Sequence, residues 1–154
     1  MARGNKRLIA ENRRARHIYF LEKELEAGLM LAGTEVKSLR AGLVSLDQAY
    51  AGEREGELYL FNMYIGEYAQ ASRENHEPRR ARKILLHKKE LSRWLDAVRK
   101  EGLTIAPLRL YFNERGRVKL ALALARGKKL RDKRQSEKER DWSRRRARLL
   151  RDKG

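Results

Sequence analysis

The sequence predicts a small, mainly β fold: a closed Greek-key barrel with two or three helices and a basic C-terminal tail. Three observations carry that expectation. Hydrophobic alternation at period two recurs through the middle of the chain, two segments show helical periodicity, and positive charge gathers at the ends. The 154 residues suit one compact domain with an extension or two rather than two full domains.

The first strand-like stretch runs over His17 to Leu21, Glu22 to Glu26 and Leu29 to Leu31, with a break expected at Ala27-Gly28. Thr34 can cap a short helix over Glu35 to Ala41, with Glu35 favoured in its first turn and Gly42 at its end. Asp47 to Ala51 reads as a short strand. Leu58 to Ile65 is apolar on both faces, as a strand crossing the middle of a small closed sheet would be. A second helix spans His87 to Lys100, where Leu91, Trp94, Leu95 and Val98 recur at i, i+3, i+4 and i+7 before Gly102 stops it. Leu108, Leu110 and Phe112 then alternate onto one face. Asn113 to Gly116 turns the chain, and Val118, Leu120, Leu122 and Leu124 resume the apolar face, which makes a β-hairpin. Five to seven short strands with two helices in this span point to a barrel of the oligonucleotide-binding type.

From Gly127 onward the pattern changes. Leu130, Trp142, Leu149 and Leu150 are the large apolar residues among many charges, too few to offset the entropy of ordering the segment alone. The division expected is therefore a β-barrel domain over 1–126 with a basic N-terminal segment, and a tail over 127–154 that is disordered when free. Ser136 with Glu139 fits a capping box and Asp141 with Arg145 an i, i+4 pair, so the tail is expected to become helical on contact with a partner.

Charge identifies the kind of partner. Lys and Arg number 38 against 21 Asp and Glu, for a formal +17. Residues 1–17 hold six cations and one acid, 18–125 hold 18 and 15, and 126–154 hold 14 and five. A nearly neutral body thus lies between two basic arms, and such arms attract polyanions and release their counterions. Nucleic acid is the first candidate and an anionic membrane surface the second. No apolar run reaches membrane-spanning length and no signal-peptide core follows Met1, so a cytoplasmic location is expected. The absence of cysteine excludes disulfides, thiol nucleophiles and cysteine-ligated metals.

Catalytic signals are weak. His17, His76 and His87 stand at three separate element boundaries, in no metal-ligand spacing, and no GxxxxGK[ST] or GxGxxG motif occurs. A histidine working with Glu35 could cleave RNA by acid-base chemistry, but polar surface and hydrogen-bonding histidines account for the pattern more simply. No catalytic residue, metal or cofactor is therefore assigned. Binding residues are more legible. Asn12, Arg13 and Arg14, with His17, place donors for phosphates, base edges and ribose just before the first strand. Arg79, Arg80, Arg82 and Lys83 form a second basic cluster, of which Arg82 and Lys83 lead directly into the apolar run Ile84-Leu85-Leu86.

Five segments, in order, resemble one family. They are Asn12-Arg13-Arg14-Ala15-x-His17-x-Tyr19, Gly33-Thr34-Glu35-Val36-Lys37-Ser38-Leu39-Arg40-Ala41-Gly42, Pro78-Arg79-Arg80-Ala81-Arg82-Lys83-Ile84-Leu85-Leu86-His87, Pro107-Leu108-x-Leu110-Tyr111-Phe112-Asn113-x-x-Gly116 and Gly127-Lys128-Lys129-x-x-Asp132-Lys133-Arg134. The pattern is similar to the SsrA-binding, or small protein B, family of bacterial ribosome rescue. That resemblance implies a monomeric, non-catalytic adaptor that holds the tRNA-like domain of transfer-messenger RNA and enters the vacant decoding site of a stalled ribosome. It places Asn12, Arg13, Arg14, Glu35, Lys37 and Arg40 on the face that binds this RNA. Glu35 would there accept hydrogen bonds from base amino groups or ribose hydroxyls, or orient a neighbouring Lys or Arg; the alternative is a first-turn residue favoured by the helix dipole.

For the tail, the resemblance implies that Lys128, Lys129, Asp132, Lys133 and Arg134 approach the decoding centre of the small subunit, the remainder folding along the empty mRNA channel. Phosphates there would accept Arg145 and its neighbouring arginines, and Trp142 could stack on a base. Arg131 stands where relatives often carry His or Tyr, and a guanidinium can stack in place of a ring. Ile18 replaces a usual acid. The competing class is a ribosomal-type structural RNA-binding protein or RNA chaperone, which would share barrel and basic arms.

Overall fold

In the computed structural model, residues 6–71, 74–127 and 144–145 are described. Nine strands and three helices follow one another among them: β1 (Arg7–Glu11), α1 (Ala15–Ile18), β2 (Tyr19–Leu29), α2 (Gly33–Arg40), β3 (Val44–Ser45), β4 (Tyr50–Arg54), β5 (Glu57–Phe61), β6 (Tyr64–Ile65), β7 (Arg82–Leu85), α3 (Lys88–Glu101), β8 (Thr104–Phe112) and β9 (Val118–Gly127). Seven strands form one antiparallel sheet in the order β1-β8-β9-β2-β7-β5-β4, and β3 pairs with β6 in a separate ribbon.

The sheet is open, where the sequence led us to expect a closed barrel. β1 and β4 are its two edges, and no ladder joins them among the described residues. The sheet curls far enough to bring β4 against β8, and β3 lies beside β1. The backbone groups of β3 are engaged with β6, however, so the ribbon sits beside the edge without bridging it.

Local chemistry explains several departures from the simple alternation. Ala27-Gly28 does not break the strand: β2 runs 11 residues, with Gly28 paired to both Leu85 and Lys119. Ile18 and His17 belong instead to α1. The apolar run from Leu58 to Ile65 is two strands, because Asn62 adopts φ 62° and turns the chain between β5 and β6. α2 begins at Gly33, a residue ahead of the proposed Thr34 cap, and the strand expected at Asp47 starts at Tyr50. α3 agrees closely with its periodicity. His87 is its N-cap and Gly102, at φ 68°, its left-handed stop.

The hairpin of β8 and β9 is present, closed by Asn113, whose Oδ1 accepts the N–H groups of Arg115 at 3.0 Å and Arg117 at 2.9 Å. Leu108 does not share the face of Leu110 and Phe112. The register shifts between Pro107 and Arg109, and this bulge turns Leu108 to the opposite side, beside Ala15, Tyr111, Ala121 and Ala123. The main core lies on the other face, where Leu58, Leu60, Met63, Ile65, Ile84, Leu110, Leu120 and Leu122 are all within 2 % of full burial and Trp94 enters from α3. Each such side chain contributes about 1.5–3 kcal/mol of transfer free energy.

Candidate nucleic-acid interface

The N-terminal cations are presented by an anchored turn. Asn12 donates its backbone N–H to the Leu108 carbonyl at 2.7 Å and its Nδ2 to the Pro107 carbonyl at 3.2 Å. Ala15 packs beneath at 1 % exposure, so the single turn of α1 is fixed to the bulge of β8. Arg13, Arg14, Arg16 and His17 are left exposed. A cleft of about 330 Å³ lies between this turn and β8, lined by Glu11, Asn12, Arg13, Arg16, Leu108 and Arg109. Asn12 is thereby the residue that holds the segment, with its amide nitrogen already engaged.

Two residues expected on the surface are inside. Glu35 and Arg82 are both 0 % exposed and form a buried ion pair. One oxygen of Glu35 accepts from Arg82 Nε. The other accepts from the Ala32 N–H at 2.8 Å, from Arg80 Nε at 3.1 Å and from Arg80 Nη2. Arg82 completes its fork with Met63 O at 2.6 Å and Pro78 O at 2.9 Å. Burial by itself would raise the Glu35 carboxyl; the bonds from Arg80, Ala32 and Arg82 and the charge of Arg82 outweigh it and hold the group below the ordinary carboxylate range. Burial draws the pKa of Arg82 down, with the Glu35 bond and charge opposing it.

The reason is visible in β7. Arg82 shares the inward face with Ile84, while Lys83 and Leu85 face out. Glu35 therefore lies inside, bonded to two neighbouring arginines. Of these, Arg80 is about a third exposed, whereas Arg82 is buried. Period-two parity counted back from Ile84 would have separated the buried Arg82 from the outward-facing Lys83.

The remaining positions are accessible. Lys37 and Arg40 are exposed on α2, and Lys37 Nζ lies 5.5 Å from the centre of the Tyr68 ring. Lys83 is half-buried on the outer face and 3.8 Å from Glu57. His76 is buried, its Nε2 2.9 Å from the Ile65 carbonyl and its Nδ1 2.9 Å from Thr34 Oγ1, so it ties α2 to β6. A neutral ring that donates from Nε2 and accepts at Nδ1 satisfies both bonds. Glu35, held ionised by two arginines, is in no position to share a proton with a histidine near neutral pH. Among the described residues no group of three or more His, Cys, Asp or Glu could hold a metal, and no helix is long and apolar enough to cross a membrane. Lys128, Lys129, Arg131, Asp132, Lys133, Arg134 and Trp142 lie outside the described residues; Arg145 is exposed and helical, as is Arg144.

Comparison with known proteins agrees with the motif order. The family model described as SmpB protein matches residues 9–152. The chain is 57 % identical over 149 residues to the SsrA-binding protein of Brucella canis, covering 97 % of this chain and 94 % of that one. It is 57 % identical over 145 residues to the SsrA-binding protein of a Bradyrhizobium species, covering 94 % and 92 %. A solved structure described as "tmRNA-SmpB: a journey to the center of the bacterial ribosome" superposes with a TM-score of 0.63 at 57 % identity, covering 78 % of this chain and 84 % of that one. With its motifs in order and the match extending over nearly its whole length, the chain belongs to the SmpB family of SsrA-binding proteins.

Proposed function

We infer that this chain is a non-catalytic RNA-binding adaptor that holds the tRNA-like domain of transfer-messenger RNA and delivers it to stalled ribosomes for trans-translation in the cytoplasm. The observation that carries the reading is 57 % identity to SsrA-binding proteins across 97 % of the chain. The described body supplies hydrogen-bond donors from two directions: Arg13, Arg14 and His17 on the anchored turn, and Lys37, Arg40 and Arg80 around α2, with Lys83 on the outer sheet face. Guanidinium forks suit phosphate oxygens, and Lys supplies point charges along the same path. The curled antiparallel sheet, whose edge strands β1 and β4 are not joined by a ladder among the described residues, is consistent with an oligonucleotide-binding frame. The tail from 128 onward, with Lys128, Lys129, Arg131, Asp132, Lys133, Arg134, Trp142 and Arg145, engages the decoding centre and the mRNA channel after the body has taken its RNA.

Competition binding tests the reading. At a salt concentration that suppresses nonspecific phosphate contacts, the full chain should select transfer-messenger RNA over bulk tRNA and ribosomal RNA. Equal affinity for all three would replace the adaptor with a general RNA chaperone or a ribosomal-type structural protein.

A further inference from the structure

β4 and β5 carry an aromatic layer on a part of the surface outside the cationic sites described above. Tyr50 and Phe61 are partners across the two strands, and their rings stack with centroids 5.3 Å apart and planes 26° apart. Tyr59 leans on Phe61 at 6.2 Å. The guanidinium of Arg54 lies 4.9 Å from the Phe61 ring centre and 5.4 Å from that of Tyr59. Gly52 makes the layer possible, because a Cβ there would fall 3.1 Å from the Phe61 ring that lies across the strand. The series Arg54, Phe61, Tyr50 ends on a ring that is 58 % exposed, more than any other large apolar side chain described.

A stack needed only to hold the hairpin together would not end with its last ring in water. Aromatic pairs add about 0.5–1.5 kcal/mol beyond burial, and Phe61 already has Tyr59 and Arg54 for that purpose. The surroundings of Tyr50 indicate what covers it. Asn62 follows Phe61 and donates its Nδ2 to the Gln48 carbonyl at 3.3 Å, beside Tyr50. The same Asn62 receives Arg79 Nη1 on its backbone oxygen at 3.1 Å and on Oδ1 at 3.2 Å. Arg79 also lies 5.4 Å from the Tyr64 ring centre. The open ring is therefore continuous, through Asn62 and Arg79, with Arg80 and the basic surface of α2.

The guanidinium groups of Arg54 and Arg79 form no ion pair among the described residues, Arg79 meeting Glu77 Oε1 only through its backbone N–H at 3.1 Å, whereas Glu53 and Glu57 are engaged by Arg99 and Lys83. Of the other nearby carboxylates, Asp47 and Glu55 sit in the segments before and after β4, and exposed Glu77 sits beside Arg79. A π face flanked by guanidinium groups, on a chain of charge +17, matches the chemistry of a nucleotide.

We propose that the Arg54–Phe61–Tyr50 stack is a base-binding platform, on which an unpaired base of the RNA partner continues the stack on Tyr50 while Arg79 takes the adjoining phosphate. The proposal rests on the RNA-binding reading above and adds a site to it. The base can come from transfer-messenger RNA or from ribosomal RNA, and two titrations separate them: the full chain against isolated transfer-messenger RNA, and against ribosomes without it. Tyr50→Phe keeps the ring; Tyr50→Leu keeps apolar cover but removes the π face, and thermal melting checks that both fold. Since base–aromatic stacking is worth roughly 1–3 kcal/mol, Tyr50→Leu should weaken one of the two titrations by about 5- to 150-fold while Tyr50→Phe matches the native chain. Folded Tyr50→Leu that binds both RNAs like the native chain overturns the platform while leaving the adaptor reading intact. A native chain with no preference for transfer-messenger RNA removes the adaptor reading instead. Should Tyr50→Leu not fold, ultraviolet crosslinking of the native chain decides: a nucleotide on the Tyr50 peptide supports the platform, and its absence when other peptides crosslink overturns it.

Discussion

Glu35 and Arg82, both withdrawn from solvent, hold the first turn of α2 to β7, and their energetics follow from desolvation. A buried charge is tolerable only when its partners replace water, and here four donor groups converge on Glu35 and Arg82 bonds two carbonyls besides. Arg82→Ala removes one partner and leaves the carboxylate short of donors, so urea unfolding should show a loss of about 3–5 kcal/mol. The pH dependence has a definite sign. The folded state holds the Glu35 carboxyl below its ordinary value, so its contribution is present above the unfolded pKa and is lost as pH falls through the folded one. Glu35→Gln should therefore be less stable near neutrality, and its stability should decline less steeply than that of the native chain as pH drops below the usual carboxylate range. Equal acid slopes for the two proteins would contradict the assignment. This pair was half legible in the sequence. Helix-start chemistry placed Glu35 in the first turn, but run-level charge counting grouped Arg82 with Lys83, which faces the other side of the strand.

β8 and β9 show how an element can be recognised and one of its side chains still misplaced. Alternation and the Asn113 turn are local signals, and both are present; the bulge after Pro107 depends on what β1 and β9 offer on either side, which no single strand encodes. Similarly, Gly28 reads as a break until β7 and β9 flank it, after which the strand continues. Positive φ at Asn62 had a cue in the residue type, since Asn tolerates that conformation, yet unbroken apolar character on both sides masked it. Two outcomes follow at this scale. Leu122→Ala, at the centre of the main core, should cost about 2–5 kcal/mol in denaturant unfolding, because the cavity cannot collapse between paired strands. Gly102→Ala should cost about 1 kcal/mol by the same measurement, because the C-cap residue sits at φ 68° where a Cβ is strained.

Across the molecule, a body of modest net charge carries cations placed by packing rather than by number. The bulge of β8 fixes the turn that exposes Arg13 and Arg14, and the buried Glu35 network holds Arg80 beside α2. Affinity for RNA should fall linearly in a double-logarithmic plot against salt, and Arg13→Ala with Arg14→Ala should flatten that slope by about 1 to 2 if both neutralise phosphates. An unchanged slope would remove the turn from the interface. The family motifs, legible in order along the sequence, gave the partner; the open sheet and the hidden Arg82 depended on long-range pairing. The central claim is a division of labour between the body and the tail, and β9 ends at Gly127, which sets where to cut. The chain truncated after Gly127 should be scored separately for transfer-messenger RNA affinity and for peptide tagging on stalled ribosomes. Native affinity with tagging abolished is the result predicted; loss of RNA affinity in step with tagging, or tagging that survives the cut, would contradict it.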